Sequence, residues 1–184
     1  MRKQNSLSHH SSPIEILESR TMLSAAETAA AQIAILSTTG AGAHIRYNYD
    51  ITLRDTGTTP LETFWFAWTP RQDYMKTKPI TVSGPTGWTD MITGGGAGDG
   101  FAIQWTTTSS AVAAGQSPTG FKFTSADSPA VLTANSVFFP NTPTETSVVY
   151  IGAAAVRSGI SVRGFCADDR TEEFISRQAA CHAD

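Results

Sequence analysis

The stretch AHIRYNYDITLRD, residues 43–55, alternates apolar and polar side chains without a break from Ile45 to Arg54. Ile45, Tyr47, Tyr49, Ile51 and Leu53 fall on one side, and Arg46, Asn48, Asp50, Thr52 and Arg54 on the other. A period of two belongs to a strand with one face buried and one face in water. A helix would scatter the same five apolar residues around its circumference. Such a strand needs a second layer to cover its apolar face, and this requirement constrains the rest of the chain.

Residues 29–155 read as β throughout. DTGTTP (55–60) is a turn, and LETFWFAW (61–68) a second strand with Phe64, Phe66 and Trp68 on one face. PRQDYMKTKP (70–79) is a longer connection, GPTGWTD (84–90) is turn-rich around Trp88, and TGGGAGDG (93–100) is a glycine loop. FAIQW (101–105) puts Phe101, Ile103 and Trp105 on one face. AAGQSPTG (113–120) turns the chain into FKFTS (121–125), and SVFFP (136–140) and SVVYIG (147–152) supply the last apolar strands. Short strands divided by turn clusters, with no long amphipathic helix between them, predict an all-β fold: a single antiparallel immunoglobulin-like β-sandwich.

Charged residues make up only 16% of the 184-residue chain, whose net charge is −3. Its lysines are Lys3, Lys76, Lys78 and Lys122, so clustered cations of the kind that neutralise phosphates are missing and no nucleic-acid partner is expected. No run of 18 apolar residues occurs, so no membrane-spanning helix is expected; the longest apolar-leaning run, AAAQIAILS (29–37), is too short.

The two ends differ from the middle. Residues 1–28 begin with Arg2 and Lys3, but Glu15, Glu18 and Arg20 interrupt the apolar stretch that a secretory signal requires. The segment is expected to be helical or poorly ordered. Residues 156–184 carry nine of the 29 charged residues and are expected to form a helical or disordered tail outside the sandwich, with Asp168 capping a helix. Both cysteines, Cys166 and Cys181, lie in this tail. On a helix their separation would put them about 20 Å apart, too far for a disulfide, so free thiols are expected.

Residues that carry chemistry are few. GGGAGDG resembles one copy of the calcium-binding repeat G-G-x-G-x-D, with Ala97 where the fourth position requires glycine. Asp90 and Asp99 are too few oxygen ligands for calcium, so a hairpin loop is expected and no metal or cofactor. Four tryptophans invite a sugar-stacking reading, but a sandwich needs large side chains in its core. Phe64, Phe66, Trp68, Phe101 and Trp105 take the inward positions. Trp65, on the other face of its strand, and Tyr74, in the long connection, remain as candidate ligand-binding aromatics. Of the histidines, His9, His10 and His182 lie in the tails and only His44 adjoins a strand. Glu62 and Asp73 are the carboxylates considered as an acid–base pair. No nucleophile elbow, zinc-protease motif or phosphate loop occurs, and an enzyme is not expected.

IEILESRTMLSA resembles the LEPR-XLL-type N-terminal motif of surface and exported proteins of planctomycete-like bacteria, whose pattern is roughly L-E-x-R-x-L-L-S-A. Leu17, Glu18, Arg20, Leu23, Ser24 and Ala25 match; Ser19 replaces the frequent proline and Met22 the first leucine of the pair. The resemblance implies a sorting or export segment read by export machinery. TFWFAWTP (63–70), GWTDMITGGGAGDGFAIQW (87–105) and GFKFTSADSPA (120–130) resemble a β-sandwich domain of exported bacterial proteins with no assigned activity. Some of these carry a C-terminal sorting segment. The end of this chain lacks an apolar stretch followed by basic residues, so release, or a tail altered relative to that group, is expected over anchoring. Together these readings imply an exported, non-enzymatic protein of the cell envelope or extracellular space. The rival reading is a carbohydrate-binding module.

Overall fold

The computed structural model describes residues 28–152 and 159–168. In chain order the strands are β1 (Ala29–Thr39), β2 (Arg46–Asp55), β3 (Thr63–Phe66), β4 (Trp68–Thr69), β5 (Gln72–Asp73) and β6 (Thr81–Ser83). They continue with β7 (Thr89–Gly94), β8 (Phe101–Thr106), β9 (Phe121–Ser125), β10 (Ser147–Tyr150), β11 (Ile160–Ser161) and β12 (Arg163–Asp168). One short helix, α1 (Pro129–Leu132), starts at a proline, where the missing N–H leaves no bond unmade.

Ten of these strands form two five-stranded sheets, ordered β12-β1-β2-β9-β6 and β11-β10-β3-β8-β7, and β4 and β5 form a small hairpin of their own. The alternation of residues 45–54 is realised on β2: Tyr49, Ile51 and Leu53 are buried. From β9 they are joined by Phe121 and Phe123, and from the facing sheet by Phe64, Phe66, Ile103, Trp105 and Val149. Ring contacts cross between the layers, with Phe64 and Trp105 edge-on to Phe121 at 5.5 and 5.6 Å and Phe66 against Phe123 at 5.1 Å. The fold is an all-β sandwich. Two core indoles have their N–H groups satisfied, Trp88 by the Ser110 carbonyl and Trp105 by the Ser83 carbonyl, which removes the penalty of burying a donor.

Four expectations need correction. The sandwich does not end at residue 155: β11 pairs with β10, and β12 pairs in parallel with β1. Arg163–Asp168 therefore complete the first sheet, and Asp168 lies opposite Ala34 on a strand instead of capping a helix. Cys166 likewise sits on β12 opposite Gln32, so the helical spacing argument for the thiols does not apply from that end. Cys181 lies outside the described residues. Second, SVFFP is no strand. The Ser136 hydroxyl donates to the Tyr74 carbonyl and the Ser136 N–H to the Thr142 carbonyl, closing a turn that leaves Val137 in solvent. Third, TDMITG forms an edge strand where the glycines suggested only a turn, because Thr89–Gly94 pair residue by residue with Phe101–Thr106. Fourth, Trp68 does not point inward with Phe64 and Phe66. Ala67 takes φ 59, which shifts the alternation and sends Trp68 to the outer face.

Among the described residues, no helix is long and apolar enough to cross a membrane. The sorting-motif residues Leu17, Glu18, Arg20, Leu23, Ser24 and Ala25 lie outside the described residues, as does the chain from 169 onward.

Candidate functional site

Two groups of side chains stand apart from the main core, and the β4–β5 hairpin joins them. The first lies on the outer face of the second sheet. Cross-strand register places Val148, Trp65, Gln104 and Met91 in one row across β10, β3, β8 and β7. Tyr150, Thr63, Thr106 and Thr89 form the next row. Residues paired in register point to the same face, so each row is a continuous strip of side chains. Trp65, Ala102, Val148 and Tyr150 are buried there in a cluster separate from the main core, with Trp68 packed on them.

Trp68 covers Trp65. Their rings stack with centroids 4.1 Å apart and planes 17° from parallel, and Tyr150 lies 6.2 Å from Trp68. The Trp68 backbone is pinned, since its N–H donates to the Thr146 carbonyl at 2.9 Å. Two polar atoms of this cluster are buried without a hydrogen-bond partner among the described residues: Trp65 Nε1 and the Tyr150 hydroxyl. Burial pushes the Tyr150 phenol up from its ordinary value. Gly159 presses on this corner; a Cβ there would sit 2.6 Å from Val148 Cγ1 and 2.8 Å from the Tyr150 oxygen, so only glycine fits without displacing the ring.

The second group is the glycine loop. Its ends are tied: the Gly95 N–H donates to the Gly100 carbonyl at 2.7 Å and the Gly100 N–H to the Asp73 carbonyl at 2.9 Å. Gly94 at φ 94 needs the left-handed region, and a Cβ at Gly100 would meet the Met75 and Asp73 carbonyls. Asp99 Oδ1 accepts from the N–H groups of Asp73 and Gly100, at 2.8 and 3.0 Å. Asp73 is the register partner of Trp68, so loop and aromatic cluster share one hairpin. Burial, and secondarily the nearby Asp99 charge, push the Asp73 carboxyl up to about 6, against a lowering effect from the Thr93 hydroxyl.

The aromatics singled out from sequence are placed differently from expectation. Trp65 is 5% exposed and Tyr74 is 1% exposed, so neither offers a free ring face. Trp65 is covered because the Ala67 backbone brings Trp68 over it. Tyr74 packs edge-on against Phe139 at 5.2 Å while its hydroxyl donates to Gln72 Oε1 at 2.8 Å. Sequence reasoning missed Trp68 and Tyr150 as neighbours of Trp65. Tyr150 was legible only as part of an apolar strand, and no residue near Ala67 announces its positive φ. The carboxylate found beside Asp73 is Asp99, not Glu62, whose backbone bonds Tyr150 and Thr107. Among the described residues, no three His, Cys, Asp or Glu side chains are grouped to hold a metal ion.

Set against protein-family models and against curated proteins, the chain matches none.

Proposed function

We propose that this is an exported, non-enzymatic β-sandwich protein of the cell envelope or extracellular space, directed there by its N-terminal motif. The observation that carries the reading is the match of Leu17, Glu18, Arg20, Leu23, Ser24 and Ala25 to the sorting pattern. Among the described residues, the first strand starts at Ala29, downstream of the motif. Export machinery is the partner for those six residues. The two-carboxylate pair of Asp73 and Asp99 is engaged with backbone N–H groups and a threonine, an arrangement suited to holding a loop.

N-terminal sequencing of the protein recovered from each cell fraction tests this directly. Processed protein outside the cytoplasm is the expected result. The double substitution Glu18→Ala, Arg20→Ala should lower the exported share and leave the melting temperature unchanged. Protein confined to the cytoplasm with an intact N-terminus would overturn the reading.

A further inference from the structure

The two sheets protect their edges unequally. β6 is three residues long and lies between Pro79 and Pro85, and β11 is two residues long. β7 sets Asp90 in register with the core residue Trp105, which puts a charge on the inward-facing side of an edge. Short strands, prolines and inward charges all keep a sheet from recruiting another strand. The far half of β1 is different. β12 pairs with β1 as far as Asp168 opposite Ala34, whereas β2 pairs with it on the other side up to Thr39. Ile35, Leu36, Ser37, Thr38 and Thr39 therefore present a row of backbone groups with no strand beside it among the described residues. The row holds no proline and no charge, and it is exposed from Leu36 to Thr39.

We propose that residues 169–173, Asp-Arg-Thr-Glu-Glu, run on from β12 and dock along this open half of β1 as a strap. β12 is parallel to β1, so the chain leaves Asp168 heading toward Thr39. Both strands of a parallel ladder advance about 3.3 Å per residue, so residue 173 comes level with Thr39. The chain continues to Asp184, which is length enough. The register of β1 with β2 slips between Ile35 and Ser37, but this does not bar a neighbour on the other side: β12 already passes a slip between Ala30 and Gln32. Charge favours the same occupant. Thr39 pairs with Arg46, His44 lies just before that strand, and no acidic residue occurs between Ile35 and Arg46. Side chains alternate along a strand, so one of Glu172 and Glu173 falls on the face that carries Arg46. The strap also ends the sheet in Asp169, Arg170, Glu172 and Glu173, charged side chains that blunt an edge, where bare β1 is an uncharged template. A second copy pairing β1 to β1 would compete with a segment tethered at Asp168, whose effective concentration at the edge is far higher.

The test is NMR of the isotope-labelled full chain, read as interstrand Overhauser contacts and amide hydrogen exchange. Contacts between residues 169–173 and 35–39 are expected, with slow exchange at those amides of 35–39 that do not bond to β2. Thr171→Pro together with Glu172→Pro removes two successive donors, one of which faces β1 whichever way they alternate. Exchange at the same amides of 35–39 should then quicken about fivefold or more, the factor that a hydrogen bond of typical net strength contributes. The amides of Phe64 and Ile103 in the core should keep their rates and so report that the variant is folded. Gln178→Pro together with Ala179→Pro, beyond the docked segment, should leave the edge as it is in the natural chain. The proposal is overturned if the prolines at 171 and 172 change nothing at 35–39, or if those at 178 and 179 quicken exchange there as much. It is also overturned if protection of 35–39 rises with protein concentration and the contacts join these residues to a second copy.

Discussion

At the scale of single residues, two carboxyls among the described residues hold their protons more tightly than a free carboxyl does. Asp73 is pushed up to about 6, chiefly by burial and then by the Asp99 charge, and Glu145 to about 7, again chiefly by burial. Glu145 Oε2 has no hydrogen-bond partner among the described residues. A carboxyl whose folded value lies above its unfolded value holds its proton more tightly in the folded state. Both groups therefore favour the fold most when protonated, and that contribution declines as pH rises from about 4 through about 7. This sign is opposite to that of a salt-bridged carboxylate. The melting temperature should rise as pH is lowered from about 8 to about 5. Asp73→Asn and Glu145→Gln should each flatten that dependence and add about 1 kcal/mol of stability at about pH 8, measured by urea unfolding.

At the scale of elements, the β4–β5 hairpin is the unit on which the outer face depends. It carries Trp68 onto Trp65 and Asp73 onto the glycine loop, and it is entered and turned at two non-glycine residues with positive φ, Ala67 and Arg71. Ala67 is fully buried, so replacing it with glycine would trade relief of backbone strain against a lost methyl contact. Arg71 is exposed and has no such contact to lose. Arg71→Gly should therefore stabilise the protein by about 0.5–1 kcal/mol, since left-handed backbone costs a side-chain-bearing residue about 1–2 kcal/mol. Thermal unfolding of the two proteins side by side measures it. A loss of stability would mean that the extra freedom of glycine in the unfolded chain outweighs the strain. The edge strand β7 belongs to the same scale. TDMITG carries two threonines and an isoleucine, all β-branched, yet the glycines that end and follow it hid it until β8 supplied a partner.

At the scale of the whole molecule, the first sheet is closed by a strand from far along the chain. β1 is covered on one side by β2 and on the other by β12, the latter in parallel. A chain cut after Ala155 would lose β11 and β12 and leave both β1 and β10 as open edges, whereas one cut after Asp168 would keep them paired. The shorter chain should melt lower by about 5 °C or more, a loss of roughly 2 kcal/mol for a domain of this size. It should also tend to associate through its exposed edges. Equal melting temperatures would show that the last two strands add nothing to the fold. Their pairing was hidden in the sequence because nine charged residues colour the segment 156–184 and its strands are short; what makes RGFCAD a strand is the open edge of β1, not its own pattern. The all-β class, the inward faces of β2 and β8, and much of the aromatic core are written in the residues themselves, because a period of two and the cost of exposing large apolar side chains are local properties. Tertiary structure alone decided that Trp65 and Tyr74 are covered, that Trp68 faces outward, that Asp73 meets Asp99, and that β12 closes the sheet. Each of these depends on a single backbone dihedral or on a contact between distant segments, and neither leaves a repeating trace in the residues themselves.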